Sequence, residues 1–192
     1  LPPARRSSMT TATSVKLTPG TWKIDPAHSS VEFVARHMMV AKVKGRFTSF
    51  DATITVPDDP MQSSVEAWVD MASVDTHDEN RDNHLRSADF FDVEHYPKMT
   101  FRSTGIEAGE NGLVLHGELT IKSTTKPVDF DLEFEGETKD PYGNTRAGFT
   151  ATTEIDRRDW GVDLAMPMEG GGVVVGNQIK ISLEIEAILQ QS

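Results

Sequence analysis

The densest run of side chains able to do chemistry is Asp75-Thr76-His77-Asp78-Glu79-Asn80-Arg81-Asp82-Asn83-His84. Imidazoles among carboxylates raise the question of a metal. On a helix, however, His77 and His84 fall two turns apart, and no His-x-x-x-His pair exists to anchor an ion. A calcium loop needs an ordered Asp/Asn ladder, a central glycine and a closing glutamate, and the run lacks that order. The chain has no cysteine, so thiolate ligands and disulfides are excluded. Neither a bound metal nor a cofactor is expected. Two readings of the run remain. It is a solvated, well-capped helix, or Arg81 and His84 face the mouth of an interior and meet a polar or anionic ligand head.

Other segments offer less. There is no Gly-x-Ser-x-Gly elbow and no thiol, so nucleophilic catalysis finds no support. Most carboxylates hold outward strand positions, where solvation explains them. The glycine-rich run 169–176 lacks the Lys-Ser or Lys-Thr of a phosphate loop and reads as an ordinary loop. Met38 and Met39 suit either a soft apolar rim or ordinary core.

The elements that must position these residues are strands. From Thr21 onward the apolar period is two. Val31, Phe33 and Ala35 alternate with Ser30, Glu32 and Arg36; Val128, Phe130, Leu132 and Phe134 alternate with Asp129, Asp131, Glu133 and Glu135. The same alternation recurs around Ile54, Leu119, Phe149 and Leu183. One dry face and one wet face per strand suit an antiparallel sheet. Turn signals separate the runs at 57–60, 109–112, 141–144 and 170–172. Only residues 75–95 break the rhythm. Asp78 and Glu79 at one end and Arg86 at the other predict a short helix over 78–86. Many short strands with one apolar face each predict a barrel or a sandwich.

Small residues hold inward positions near strand centres: Ala35, Ala52, Gly117 and Ala151. They either fit the taper of a filled barrel or leave room for a ligand. The spacing alone does not choose. Trp68 alternates with Val69 in a strand of ambiguous facing; turned outward, it would mark a subunit contact and a homodimer.

At 192 residues the chain is expected to form one domain, residues 20–192, after a disordered or expression-derived tail, residues 1–19. The net charge of -11 disfavours nucleic acid and anionic membranes as partners. No apolar run approaches the roughly 20 residues of a membrane span. Residues 1–20 lack the apolar stretch of a secretory signal. With Met9 as the natural start, the expectation is a cytoplasmic protein.

Taken in order, the motifs resemble the YceI family of lipocalin-like, polyisoprenoid-binding proteins. The resemblance runs from Trp22-Lys23-Ile24-Asp25-Pro26-Ala27-His28-Ser29 through Gly45-Arg46-Phe47 to the strongest stretch, Arg81-Asp82-Asn83-His84-Leu85-Arg86-Ser87-Ala88-Asp89-Phe90-Phe91-Asp92. Tyr96-Pro97, Gly117-Glu118-Leu119-Thr120-Ile121, Lys126-Pro127-Val128, Arg157-Arg158-Asp159-Trp160-Gly161 and Val175-Gly176 complete it. It implies an all-β fold, an eight-stranded antiparallel lipocalin-like β-barrel with a short helical insertion, and an apolar tunnel that holds a lipid. Two departures, Ser123 and Trp160, stand where the family often has Gly and Phe; both are expected to alter tunnel shape and ligand choice.

The expected function is non-enzymatic: binding, sequestering or carrying a long isoprenoid, isoprenoid quinone or similar chain. The rivals are an enzyme acting on such a lipid through Arg81, Asp82 and His84, and a filled barrel that serves as an interaction module. The expected ligand contacts are Phe33, Phe50, Ala52, Ile54, Met71, Phe101, Gly117, Leu119, Phe130, Phe149 and Leu183 on the barrel, Arg81, His84, Leu85 and Phe90 in the helical insertion, and Trp160.

Overall fold

The computed structural model describes residues 15–37, 41–162 and 175–191. The rim candidates Met38 and Met39, residues 169–174 of the glycine-rich run and the presumed start at Met9 lie outside the described residues. The strands are β1 (Gly20–Ile24), β2 (Ser30–His37), β3 (Ala41–Phe47), β4 (Phe50–Val56), β5 (Ser64–Asp70), β6 (Val74–Asp75), β7 (Lys98–Gly109), β8 (Gly112–Ile121), β9 (Thr124–Lys139), β10 (Thr145–Asp156) and β11 (Val175–Leu189). One α-helix, α1 (Glu79–Arg86), lies between β6 and β7. It begins one residue inside the predicted helix, because Asp78 is its N-cap and accepts from Arg81 N–H at 3.1 Å.

Six of these segments are halves of three bent strands. β1 and β2 join through the turn Pro26–His28, β3 and β4 through Thr48 and Ser49, and β5 and β6 through Met71–Ser73. Aspartates set two of the bends. Asp25 and Asp70 each accept from the backbone N–H two residues on, at 3.1 Å, which ends the strand and starts a tight 3-10 turn. Each half then pairs with the matching half of the next strand: β1 with β4, β2 with β3, β4 with β5 and β3 with β6. From β5 the meander continues through β7, β8, β9, β10 and β11. It closes because β11 pairs with β2 along its first part and with β1 at its end. Every pairing is antiparallel, so the fold is the predicted closed eight-stranded barrel with one short helix.

The predicted strand phases hold at the core. Ile54, Leu119 and Phe130 are buried, and Phe33, Phe149 and Leu183 pack against the buried clusters. Composition places residues 15–19 in the tail, but the structure packs them onto the barrel. Leu17 is buried in one cluster with Trp22, and the Trp22 indole N–H donates to Thr18 O at 3.0 Å. A few apolar residues can gain burial without showing any periodicity.

Gly117 requires a correction. It faces inward, as its phase predicts, but it leaves no empty volume at the waist. A Cβ built there would overlap the Phe101 ring and come within 2.8 Å of Arg102 O. Gly45 is the equivalent seat for the Phe33 ring, on the residue directly opposite it across β2 and β3. In both places a missing side chain lets an aromatic ring lie flat on the neighbouring backbone.

The end of the barrel nearest β1 is tied by one cation. Arg146 on β10 meets Asp25 at 2.8 Å, Asp140 at 2.7 Å and Glu186 at 3.5 Å. It thereby joins the β1–β2 bend, the β9–β10 turn and β11. The bond from Arg146 is the main reason that the Asp140 carboxyl is held down to about 2, and it also lowers that of Asp25.

Two outcomes are expected. Gly117→Ala should lower stability by about 1–3 kcal/mol in urea unfolding, because the ring and backbone must move. Adding Phe101→Leu should recover part of that loss; equal stability of Gly117→Ala and the parent would contradict the seat. The carboxylates held low by Arg146 should stabilise the fold above about pH 4, the unfolded aspartate value, with that stability lost as pH falls towards 2. Urea midpoints measured from pH 2 to 6 should therefore climb less steeply in Arg146→Gln than in the parent.

Candidate functional site

Among the described residues, two adjoining cavities lie in the barrel interior. The one towards β1 has a volume of about 180 Å³, and the one towards α1 about 430 Å³. The first is bounded by aliphatic and aromatic side chains from all round the barrel, with Val15, Leu17, Pro60 and Met61 at its far end. The second is mostly apolar along the strands, with Glu32 of β2 as a charged exception, and Thr76, Asn80, Arg81, His84 and Arg157 also line it. Val31, Met99 and Ile181 line both, so the two cavities adjoin at these side chains.

Of the sequence-predicted contacts, Phe50, Ala52, Ile54, Phe101, Leu119, Phe130, Phe149 and Leu183 line the smaller cavity. Phe33, Met71, Arg81, His84, Leu85 and Phe90 line the larger. Gly117 and Trp160 line neither. The Phe101 ring covers Gly117, as described above. Trp160 is buried beside the barrel wall, and its indole N–H donates to Leu119 O at 2.9 Å, a bond that a phenylalanine could not make. Its departure from the family pattern therefore acts on wall packing instead of cavity shape. Of the small residues expected to open the waist, Ala52 and Ala151 line the smaller cavity and Ala35 the larger.

The sequence reading missed Met99 and Arg157. Met99 shares the phase of Phe101 two residues on, so the period-two rule would have found it. Arg157 gave no such signal. It is buried because backbone carbonyls receive it: Nε donates to Gly176 O at 3.1 Å and Nη1 to Val162 O at 2.6 Å. Trp68 is half-buried, borders the smaller cavity and has Lys98 Nζ 4.2 Å from its ring centroid.

The Arg81-Asp82-Asn83-His84 run gives each residue a separate task. Asp82 is buried, and one of its oxygens accepts from both Thr76 N–H at 2.9 Å and Thr76 O–H at 2.6 Å. That locks the helix to the chain after β6. Asn83 accepts from Arg86 Nη1 at 3.0 Å, while Arg86 also donates to Ala72 O and Val74 O. Arg81 donates to Thr76 through Nε and Nη2, and His84 pairs with Asp89 at 3.2 Å. Asp82 does not line the cavity and does not bond His84, so these three residues form no acid–base relay.

A metal reading of this run gains nothing from the structure. Among the described residues, one group could offer three donor atoms within 4.8 Å of one another: Asp25, His28 and Glu186. It lies outside the cavities, and Arg146 already supplies a cation to Asp25 and Glu186. Sequence reading missed it because Glu186 joins from β11, far along the chain.

A closed antiparallel barrel with an apolar, partly empty interior and a helix at one end defines a lipocalin-like barrel. The chain belongs to the YceI-like domain family, whose model matches residues 22–187. It is 38% identical over 164 residues to a UPF0312 protein of Staphylococcus aureus, covering 84% of this chain and 94% of that one. The solved structure of Burkholderia cenocepacia BcnA superposes with a TM-score of 0.71 at 24% identity, covering 85% of this chain and 98% of that one. A polyisoprenoid binding domain from Saccharophagus degradans gives a TM-score of 0.67 at 14% identity, covering 88% of this chain and 98% of that one. Among the described residues no helix is long and apolar enough to cross a membrane.

Replacing Asp82 with alanine should cost about 1–3 kcal/mol, because two buried Thr76 donors lose their acceptor. Urea unfolding measures this. A loss below about 0.5 kcal/mol would show that the Asp82–Thr76 lock does not hold the helix.

Proposed function

We propose that this protein binds and carries a long apolar lipid, an isoprenoid or similar chain, in its barrel, and performs no chemistry on it. The observation that carries the reading is the pair of adjoining cavities, walled mostly by apolar side chains, with Val31, Met99 and Ile181 lining both. An empty apolar space of 180 Å³ or more is costly to leave unfilled in a folded core, because its walls forgo packing contacts. A hydrocarbon chain restores those contacts. Each methylene it moves out of water contributes roughly 0.8 kcal/mol, so affinity grows with length.

Met99 supports a path through both cavities. An unbranched thioether side chain can change rotamer at little cost, which suits a junction that a chain must pass. The ligand named for the Saccharophagus degradans domain, a polyisoprenoid, is of the right shape and polarity. A filled barrel fits the two cavities poorly. An enzyme is disfavoured because Asp82 is committed to Thr76 and does not reach the cavity.

Native mass spectrometry of gently purified protein should detect a retained lipid, or uptake of an added prenyl lipid. A protein that arrives empty and rejects added chains would sink the reading. Ala52→Leu, which fills the smaller cavity, should reduce uptake of long chains more than of short ones, with folding kept. Unchanged uptake of long chains by the folded variant would remove the ligand from that cavity.

A further inference from the structure

We propose that residues 15–18 are the length stop of the ligand site: they close the β1 end of the smaller cavity, and a chain too long for the interior extends further only by displacing them. The inference rests on the lipid-binding reading above and names what decides the length of chain that the site prefers.

Two pieces of chain close that end. One is the turn Pro60–Gln62, whose Pro60 and Met61 line the smaller cavity. It is built into the wall, because it joins β4 to β5 and is tied within itself. Asp59 accepts from Met61 N–H at 3.0 Å, and the Ser63 hydroxyl donates to Pro60 O at 2.6 Å. The other piece is the segment before β1. Its Val15 and Leu17 line the same cavity, while Lys16 and Thr18 are exposed. Leu17 is buried in one cluster with Trp22, Ile54 and Val56, and Val15 packs against it. Gly20 lets the chain turn from this segment into β1. Its φ of +141° favours glycine, and a Cβ there would come within 2.9 Å of the Leu189 side chain.

The segment is held differently from the wall. It belongs to no strand, and both edges of β1 are already taken, by β4 and β11. Its polar ties all meet at Thr18. The Thr18 N–H and O–H donate to the two carboxylate oxygens of Glu137 at 2.9 Å each, and Thr18 O accepts from the Trp22 indole at 3.0 Å. Residues 15–18 can therefore leave without breaking any strand pairing, whereas moving the turn at 60–62 would disturb β4 and β5. A short chain fits beneath Leu17. A longer one meets Leu17 and Val15 and must take their place. That exchanges one buried apolar surface for another and gives up the bonds at Thr18, so the stop weakens the binding of long chains without forbidding it.

The test uses two prenyl alcohols that differ in length, farnesol with fifteen carbons and solanesol with forty-five. The full chain is offered both in equal amounts from a mild detergent, and native mass spectrometry reads the ratio of bound solanesol to bound farnesol. Leu17→Ser should raise this ratio about tenfold, the scale of one buried aliphatic side chain. Because the chain has no cysteine of its own, Thr18→Cys with Glu137→Cys can be joined by a short reducible cross-linker. The locked protein should show a ratio about tenfold below that of the same protein after reduction. An unchanged ratio in folded Leu17→Ser, or equal ratios in the locked and reduced protein, overturns the length stop while farnesol binding keeps the lipid-binding reading. Failure of both alcohols to bind any of these proteins overturns both. The comparison of locked with reduced protein decides the matter even where Leu17→Ser does not fold.

Discussion

Everything in this molecule depends on the double pairing of β11. One edge of this strand runs along β10 for its whole described ladder, and the other is shared between β2 and β1. Sharing is needed because the first long strand bends at Pro26–His28, and its two halves meet different stretches of the same partner. Closure removes the open edges of the sheet and separates the strand residues into an inside and an outside. The acidic ladder of β9 then faces water at no cost, while the alternating apolar set faces an enclosed volume that these side chains do not completely fill.

How that volume is divided follows from a few local substitutions of size. Two aromatic rings that would otherwise project into the interior lie over glycines, Phe33 on Gly45 and Phe101 on Gly117. Alanines at 35, 52 and 151 leave space that their neighbours on adjacent strands do not reach. Val31, Met99 and Ile181 line both parts. The interior is therefore a shaped space with an adaptable middle. Its lower end is stopped by Leu17 and Met61, and its upper end is covered by the helix.

The helix is too short and too polar to hold itself. Its stability comes from the N-cap at Asp78 and from the two bonds that the buried Asp82 accepts from Thr76. Those same bonds fix Thr76, and Thr76 fixes Arg81. A structural lock thus sets the direction of a cation at the helix-covered end of the larger cavity. The dense charge run around it serves mainly as a set of caps and ties, while Thr76, Asn80, Arg81 and His84 line the end of the cavity.

The sequence by itself determined the class of fold, the facing of its strands and the place of its helix. Those features are local: a period of two, turn residues between the runs, and a capping aspartate are visible wherever they occur. It also placed most of the interior-lining residues, since inward phase in a closed barrel is nearly the same thing as lining. Only the tertiary structure decided what was empty. Gly117 and Ala52 carry the same signature in sequence, a small residue on an inward phase, yet one is covered by the Phe101 ring and the other borders a cavity. Volume is set by side chains that arrive from neighbouring strands, and no single strand records them. For the same reason the fixed posture of Arg81 and the reach of Leu17 onto the barrel were not legible: each depends on a partner brought near only when the sheet closes.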